Sequence, residues 1–297
     1  MPESLWEGVR RRDRRALARL ISRAARGQEI DTIRQLGPPQ KPARVIAITG
    51  SGGVGKSSLI GKLIEPLRQR GRTVAILACD PESPLTGGAL LGDRFRMGAA
   101  LDDGVYIRSL AACSGRQAIA DHLDAVIRLC EEYGFDWIIV ETVGAGQGDT
   151  AVRAWADLVV LLLQPETGDE LQWEKAGVLE VADLIVIHKA DLPGADRAAQ
   201  QVRAALELAG GTIVPVILVS SRTGKGIAEL LDALESLPSK SRRGDDVHAF
   251  LNEAQQELHR RLRDPAATSL LALWRSGRID IHEALRRLWE LTGSPQP

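Results

Sequence analysis

Eight consecutive residues, Gly50-Ser51-Gly52-Gly53-Val54-Gly55-Lys56-Ser57, combine four glycines with a lysine and two serine hydroxyls. Glycines admit left-handed backbone and let successive N–H groups converge on phosphate oxygens. A lysine in this position reaches the β- and γ-phosphates of a nucleoside triphosphate, and the serine hydroxyl ligates magnesium. The run satisfies G-x-x-x-x-G-K-[ST] at every fixed position. It stands between an apolar run and an amphipathic stretch, so a helix N-terminus adds its positive dipole end to the cradle. Ser58 follows it and is grouped with the nucleotide-binding residues. Alone, the loop names neither the base nor the purpose.

Magnesium and triphosphate require carboxylates at strand ends. Asp80, Asp93 and Glu141 are the candidates, each expected on a loop after a strand. Glu141-Thr142-Val143-Gly144 has the form D-x-x-G, in which the acid attends the metal through water. The glycine N–H then meets the γ-phosphate and releases the loop when that phosphate is lost. Base recognition is expected at Ile187-His188-Lys189-Ala190-Asp191, close to N/T-K-x-D. There the aspartate accepts from guanine N1–H and the 2-amino group, donors that adenine does not offer in that arrangement. His188 replaces the usual Asn or Thr. Ser220-Ser221-Arg222 stands where a second base-contacting loop is expected. Ser51 occupies the position at which partition ATPases carry a second lysine, which argues against that class.

These residues need a scaffold. Short runs rich in Val, Ile and Leu alternate with amphipathic stretches: Val45–Ile48, Val74–Leu77, Val105–Leu110, Trp137–Val140, Leu158–Leu163, Leu184–Ile187 and Val214–Val219 read as strands. Lys56–Arg70 and Ala118–Tyr133 read as helices. Nearly continuous apolar strands belong to parallel sheets covered on both faces. The expectation is therefore an α/β fold, a doubly wound, mostly parallel sheet. Residues 1–41 read as an N-terminal helical extension, 42–238 as the nucleotide domain and 239–297 as a C-terminal helical arm. In that arm His248–Arg263, Ala266–Arg275 and Ile281–Leu291 are helical in pattern. Trp274, Leu285, Leu288 and Trp289 there suggest an apolar face for dimerisation.

With 38 basic against 39 acidic residues, there is no electrostatic case for nucleic acid or membrane partners. Cys79, Cys113 and Cys130 are too few and too spread for a disulfide scaffold or zinc site. No transmembrane run or secretory signal is read, which gives a cytoplasmic expectation.

Taken together, Asp80-Pro81-Glu82-Ser83-Pro84, Leu91-Gly92-Asp93-Arg94, Tyr106-Ile107-Arg108, Glu141 to Gln147, Gly168-Asp169-Glu170-Leu171-Gln172 and His188-Lys189-Ala190-Asp191 resemble the MeaB/ArgK family. These are G-protein chaperones related to the methylmalonic aciduria type A protein, of the SIMIBI class of P-loop GTPases. The resemblance implies GTP and GDP as ligands, Mg2+, and an adenosylcobalamin-dependent acyl-CoA mutase as partner, adenosylcobalamin entering only through that mutase. A cobalamin adenosyltransferase is a further candidate partner, and a homodimer is implied. By matching position, Lys56, Asp80, Glu141 and Gln147 would serve hydrolysis; Ser57, Asp80, Asp93 and Glu141 would serve the metal. Asp169 and Lys175 would fall in a switch that couples nucleotide to partner. His188 and Pro165-Glu166-Thr167 depart from the family pattern and suggest a client such as 2-hydroxyisobutyryl-CoA mutase beside methylmalonyl-CoA mutase. No arginine finger is evident, with Arg94, Arg96 and Arg108 as candidates. The alternative reading is a metal-insertion GTPase of the hydrogenase or urease maturation type.

Overall fold

The computed structural model describes residues 5–81, 102–112, 122–142, 153–165, 181–208, 214–239, 254, 258, 261–262, 264–265 and 267–291. The chain divides into two compact units, residues 1–242 and 243–297.

In the first unit the strands are β1 (Arg44–Gly50), β2 (Val74–Pro81), β3 (Val105–Ala112), β4 (Trp137–Glu141), β5 (Leu158–Leu163), β6 (Leu184–His188) and β7 (Val216–Val219). They form one sheet in the order β3-β2-β4-β1-β5-β6-β7. Every pairing is parallel. The chain runs outward from β1 to β2 and β3, returns to β4, then crosses β1 to build β5, β6 and β7. That reversal opens a crevice at the carboxyl ends of the central strands.

Helices cover both faces, because alternate strand residues point to opposite sides. On one face Ile46, Ile48, Leu158, Val160 and Leu162 pack with Leu59, Leu63 and Leu67 of α4 (Lys56–Gln69), the helix being counted after α1–α3 below. Leu230, Leu231 and Leu234 complete that side. On the other, Val45, Ala47 and Val159 share a core with Leu17, Leu20 and Ile21. Those residues lie on α2 (Arg14–Ala24), which follows α1 (Leu5–Arg10) and precedes α3 (Ile30–Arg34). Asp13 caps α2, accepting from the Arg15 N–H at 2.8 Å. The remaining helices of this unit are α5 (Leu123–Tyr133), α6 (Ala195–Leu208) and α7 (Ile227–Ser236). Pro66 sits inside α4 without ending it before Gln69.

Three aspartates brace the amino-terminal edge of the sheet, each immediately before a strand. Asp136 accepts from Thr73 N at 2.8 Å, Asp157 from Val45 N at 2.7 Å and Asp183 from Val159 N at 2.8 Å. Each satisfies a backbone donor of a neighbouring segment. Arg153 ion-pairs with Asp183.

The second unit contains α8 (Ala267–Arg275) and α9 (Ile281–Leu291). Leu288 is buried with Ala267 and Leu270, whereas Trp274, Ile281, Leu285 and Trp289 are each more than 40% exposed. The expected four-residue apolar face is thus corrected: Leu288 points inward, because the amphipathic α9 needs it to seat against α8. Arg261 stacks over the Trp289 ring at 4.1 Å. Among the described residues, no helix is long and apolar enough to cross a membrane.

Candidate nucleotide site

β1 ends at Gly50, and the chain turns through the glycine loop into α4. A Cβ on Gly50 would stand 2.5 Å from the Leu162 carbonyl oxygen, so β5 approaches too closely for any side chain. Gly53 and Gly55 take φ of +75° and +103°, the left-handed region that the turn requires. Lys56 is 7% exposed. Its ammonium donates to the carbonyls of Gly50 at 2.8 Å and Ser51 at 3.2 Å, so the charge is drawn into the curl of the loop. Gly52 and Ser58 are exposed, and Ser51 and Ser57 are half-buried.

Parallel register aligns the acids with this loop. Glu141 pairs with Ile48 on β1 and with Ala78 on β2, so Gly50, Asp80 and Glu141 share the carboxyl edge. Asp80 was expected on a loop, yet β2 continues through it and pairs it with Ala111. The reason is that β3 runs on to Ala112 and offers ladder partners two residues further. Glu141 is likewise the last residue of its strand, not a loop residue. The Ser57 hydroxyl donates to Glu141 Oε1 at 2.7 Å, bringing together two predicted metal ligands from α4 and β4. Two hard oxygen donors at a helix start and a strand end suit Mg2+. Beneath them Thr142 Oγ1 and Thr49 Oγ1 hydrogen-bond at 3.0 Å, fixing the two strand ends to each other.

The loop expected to read the base closes on the phosphate loop through His188. Its Nδ1 lies 2.7 Å from the Val54 carbonyl and its Nε2 lies 2.7 Å from Ser221 Oγ. A carbonyl only accepts, so Nδ1 carries the proton, and in the neutral ring Nε2 accepts from the serine. The ring also lies against Gly55, where a Cβ would come within 2.5 Å of Cε1. The glycine of the phosphate loop is therefore also the seat of the imidazole. Lys189 takes a φ of +56° and donates to Gln164 Oε1 at 2.7 Å. Asp191 accepts from Ser220 Oγ and pairs with Arg222 at 2.7 Å. The Ser220 hydroxyl, and then the Arg222 guanidinium, hold its carboxyl below the usual carboxylate range.

Burial holds the His188 imidazole below the ordinary histidine value, despite the Val54 hydrogen bond. The ring is therefore neutral at pH 7. With the folded pKa depressed, its contribution to stability is complete above about pH 6.5 and falls as pH drops towards the folded value. Thermal melts should show the parent losing stability between pH 7 and pH 5 more steeply than His188→Asn. Equal slopes would mean that the ring is not desolvated.

Lys56, Ser57, Glu141, His188, Lys189, Asp191 and the Ser220–Arg222 loop all follow or end strands at the carboxyl edge of the sheet. Gly144, Gln147, Asp93, Asp169, Lys175, Arg94 and Arg96 lie outside the described residues. Arg108 is a correction: its guanidinium donates to Ser22 of α2 at 2.8 Å. Strand alternation puts it on the face opposite α4, with Tyr106 and Leu110, so it does not reach the phosphate loop. Two contributors were missed in the sequence. Gln164, the holder of Lys189, directly follows an apolar strand just as Glu141 ends one, and that position was its signal. The Thr49–Thr142 pair had no comparable signal.

Comparison with known proteins gives the family and the fold. A family profile described as methylmalonyl-CoA mutase-associated GTPase MeaB matches residues 15–266. A candidate GTPase of Pyrococcus abyssi is 41% identical over 244 residues, covering 79% of this chain and 75% of that protein. The fused isobutyryl-CoA mutase of Cupriavidus metallidurans is 40% identical over 196 residues, 64% of this chain but 18% of that protein. The crystal structure of a LAO/AO transport system kinase superimposes with a TM-score of 0.63 at 22% identity, covering 98% of this chain and 97% of the other. At that identity the likeness speaks to the fold, a P-loop GTPase fold with a fully parallel described sheet.

Proposed function

The chain belongs to the family of methylmalonyl-CoA mutase-associated GTPases, MeaB, and from that premise we propose that it is a GTP-hydrolysing chaperone of an adenosylcobalamin-dependent acyl-CoA mutase. It binds the mutase and uses GTP to gate loading of intact cofactor and to protect or reactivate its client. The observation that carries this reading is the His188 bridge. One imidazole ties the phosphate loop at Val54 to the second base loop at Ser221, so base recognition and phosphate binding act as one unit.

In the reaction, water attacks the γ-phosphorus and the bond to the β–γ bridging oxygen breaks, releasing GDP and phosphate. Lys56 holds the β- and γ-phosphates from within the loop, and the N–H groups of Gly50 to Ser58 cradle their oxygens. Bound Mg2+ supplies charge neutralisation, with Ser57, Asp80, Asp93 and Glu141 as its direct or water-mediated ligands. Asp191 accepts from guanine N1–H and N2–H, and the Lys189 stem stacks on the base. Gly144 meets the γ-phosphate, Gln147 orients the water, and Asp169 and Lys175 relay the nucleotide state to the mutase. The parts given to Asp93, Gly144, Gln147, Asp169 and Lys175 rest on the sequence alone.

Arg108 is turned away, and with no evident arginine finger in the sequence we expect slow intrinsic turnover. Single-turnover hydrolysis with the mutase added should exceed the isolated rate by about 10³-fold or more, the order that one supplied transition-state charge contributes. Equal rates with and without mutase would remove the client from the mechanism.

A mutase fused to a homologous segment supports the choice of client over metal insertion. The cytoplasm is the proposed compartment, and a cobalamin adenosyltransferase a further proposed partner. The helical segment after Pro238 is the proposed dimerisation arm, because Trp274, Ile281, Leu285 and Trp289 stand exposed on it; a dimeric mass in solution is the matching observation.

A further inference from the structure

We propose that the sheet face opposite α4 carries a second anion site, formed by Arg19, Arg23, Arg26 and Arg108, which takes a small molecule bearing two or more phosphate groups. This site is separate from the GTP reading and does not depend on it. The four arginines line a cavity of about 600 Å³, within the range of small-molecule sites. Arg108 pairs with Leu77 in the outermost strand, β3, whereas the base loops lie at the other end of the sheet, after β6 and β7.

Arg19, Arg23 and Arg26 recur at i, i+4 and i+7, so they share one side of α2 and its extension and repel one another. The carboxyl end of the helix favours cations, and Arg23 pairs with Glu29 at 3.1 Å. Those two effects account for Arg23 and Arg26, but not for Arg19 or Arg108. Arg108 is the more telling residue. It is half-buried, and its Nη2 donates to Ser22 Oγ, which in turn donates to the Ala18 carbonyl at 2.8 Å. Its Nε is buried and makes no hydrogen bond among the described residues. That atom is closed to a ligand, and it is the rest of the half-buried guanidinium that lines the cavity.

Phosphate fits this set better than a single carboxylate. Guanidinium forks match phosphate oxygens in two-pronged geometry. Among the described residues, four guanidiniums against the one paired carboxylate, Glu29, leave three charges to balance, and each phosphate group carries about two. Leu5 and Ala18 add an apolar margin for a carbon framework. The whole chain carries a net charge of −1, so the attraction is local and not that of a generally basic protein.

Inorganic pyrophosphate titrated calorimetrically into the full chain is the test, with Lys56→Ala as background to remove the phosphate loop's own affinity. That background should retain one pyrophosphate site. Adding Arg19→Gln and Arg23→Gln, both exposed positions, should weaken it by at least about tenfold without lowering the melting temperature. Absence of binding in the Lys56→Ala background overturns the proposal. So does binding that the two glutamines leave unchanged, or a glutamate-rich peptide binding where pyrophosphate does not, which would mark a protein-docking surface instead.

Discussion

A Lys56→Ala chain is expected to bind GTP about 10²–10⁴-fold more weakly than the parent while keeping its fold. Lys56 is 7% exposed, and its ammonium sits between the carbonyls of Gly50 and Ser51. To serve two phosphates it exchanges these carbonyls for phosphate oxygens. A charge-assisted hydrogen bond contributes about 1.5–3 kcal/mol. Two of them amount to about 3–6 kcal/mol, which converts to that range of affinity. Arginine should not rescue the site, since its planar fork needs room that the loop does not give. Fluorescent-nucleotide titration checks the affinity and a thermal melt checks the fold. An unchanged dissociation constant would remove Lys56 from phosphate binding.

Asp191→Asn should cost GTP about 10²–10³-fold in affinity and improve the standing of xanthosine triphosphate against it. The carboxylate is held ionised by the Ser220 hydroxyl and then by Arg222, so it offers acceptors only. Guanine presents two donors, N1–H and the 2-amino group. An asparagine turns one acceptor into a donor that faces the 2-amino group, leaving both unpaired at about 1–3 kcal/mol each. Xanthine carries an oxygen at that position and accepts from the new amide. Arg222 is 75% exposed, so its ion pair yields to a base at small cost. Competition between the two triphosphates on parent and variant measures the ratio. If both weaken equally, Asp191 is a brace for the Ser220 loop and not a base reader.

Much of this site was legible in the residues because its physics is local. A phosphate cradle needs glycine, lysine and hydroxyl within one turn, and each apolar strand announces itself by composition. The acids at Asp80 and Glu141 were legible as strand-end residues, though not as members of the strands. Whether a ladder continues depends on the neighbouring strand, which a one-dimensional pattern does not display. His188 shows the same limit. Its type marked a departure from the guanine motif, but its two hydrogen bonds join residues 134 and 33 positions away. Arg108 was read as a candidate finger because only the fold reveals which sheet face it takes. The strand-bracing aspartates had a visible signal, an Asp just before an apolar run at Asp136, Asp157 and Asp183, that pointed to scaffold and not to chemistry.

The site also suggests how nucleotide identity reaches a client. Val54, Gly55, His188 and Ser221 form one contact chain, and Ser57 continues it to Glu141 at the end of β4. Within the described residues, the phosphate loop is thus tied both to Ser221 and to Glu141. On the proposed reading, this contact chain is the route by which a bound mutase would sense the γ-phosphate.

Calorimetric titration of the full chain with GTP and with ATP, in magnesium buffer, tests the central claim most directly. A pocket in which Asp191 reads the guanine edge should take GTP at least about a hundredfold more tightly than ATP. Equal or tighter binding of ATP, or no heat with either GTP or GDP, would contradict the account.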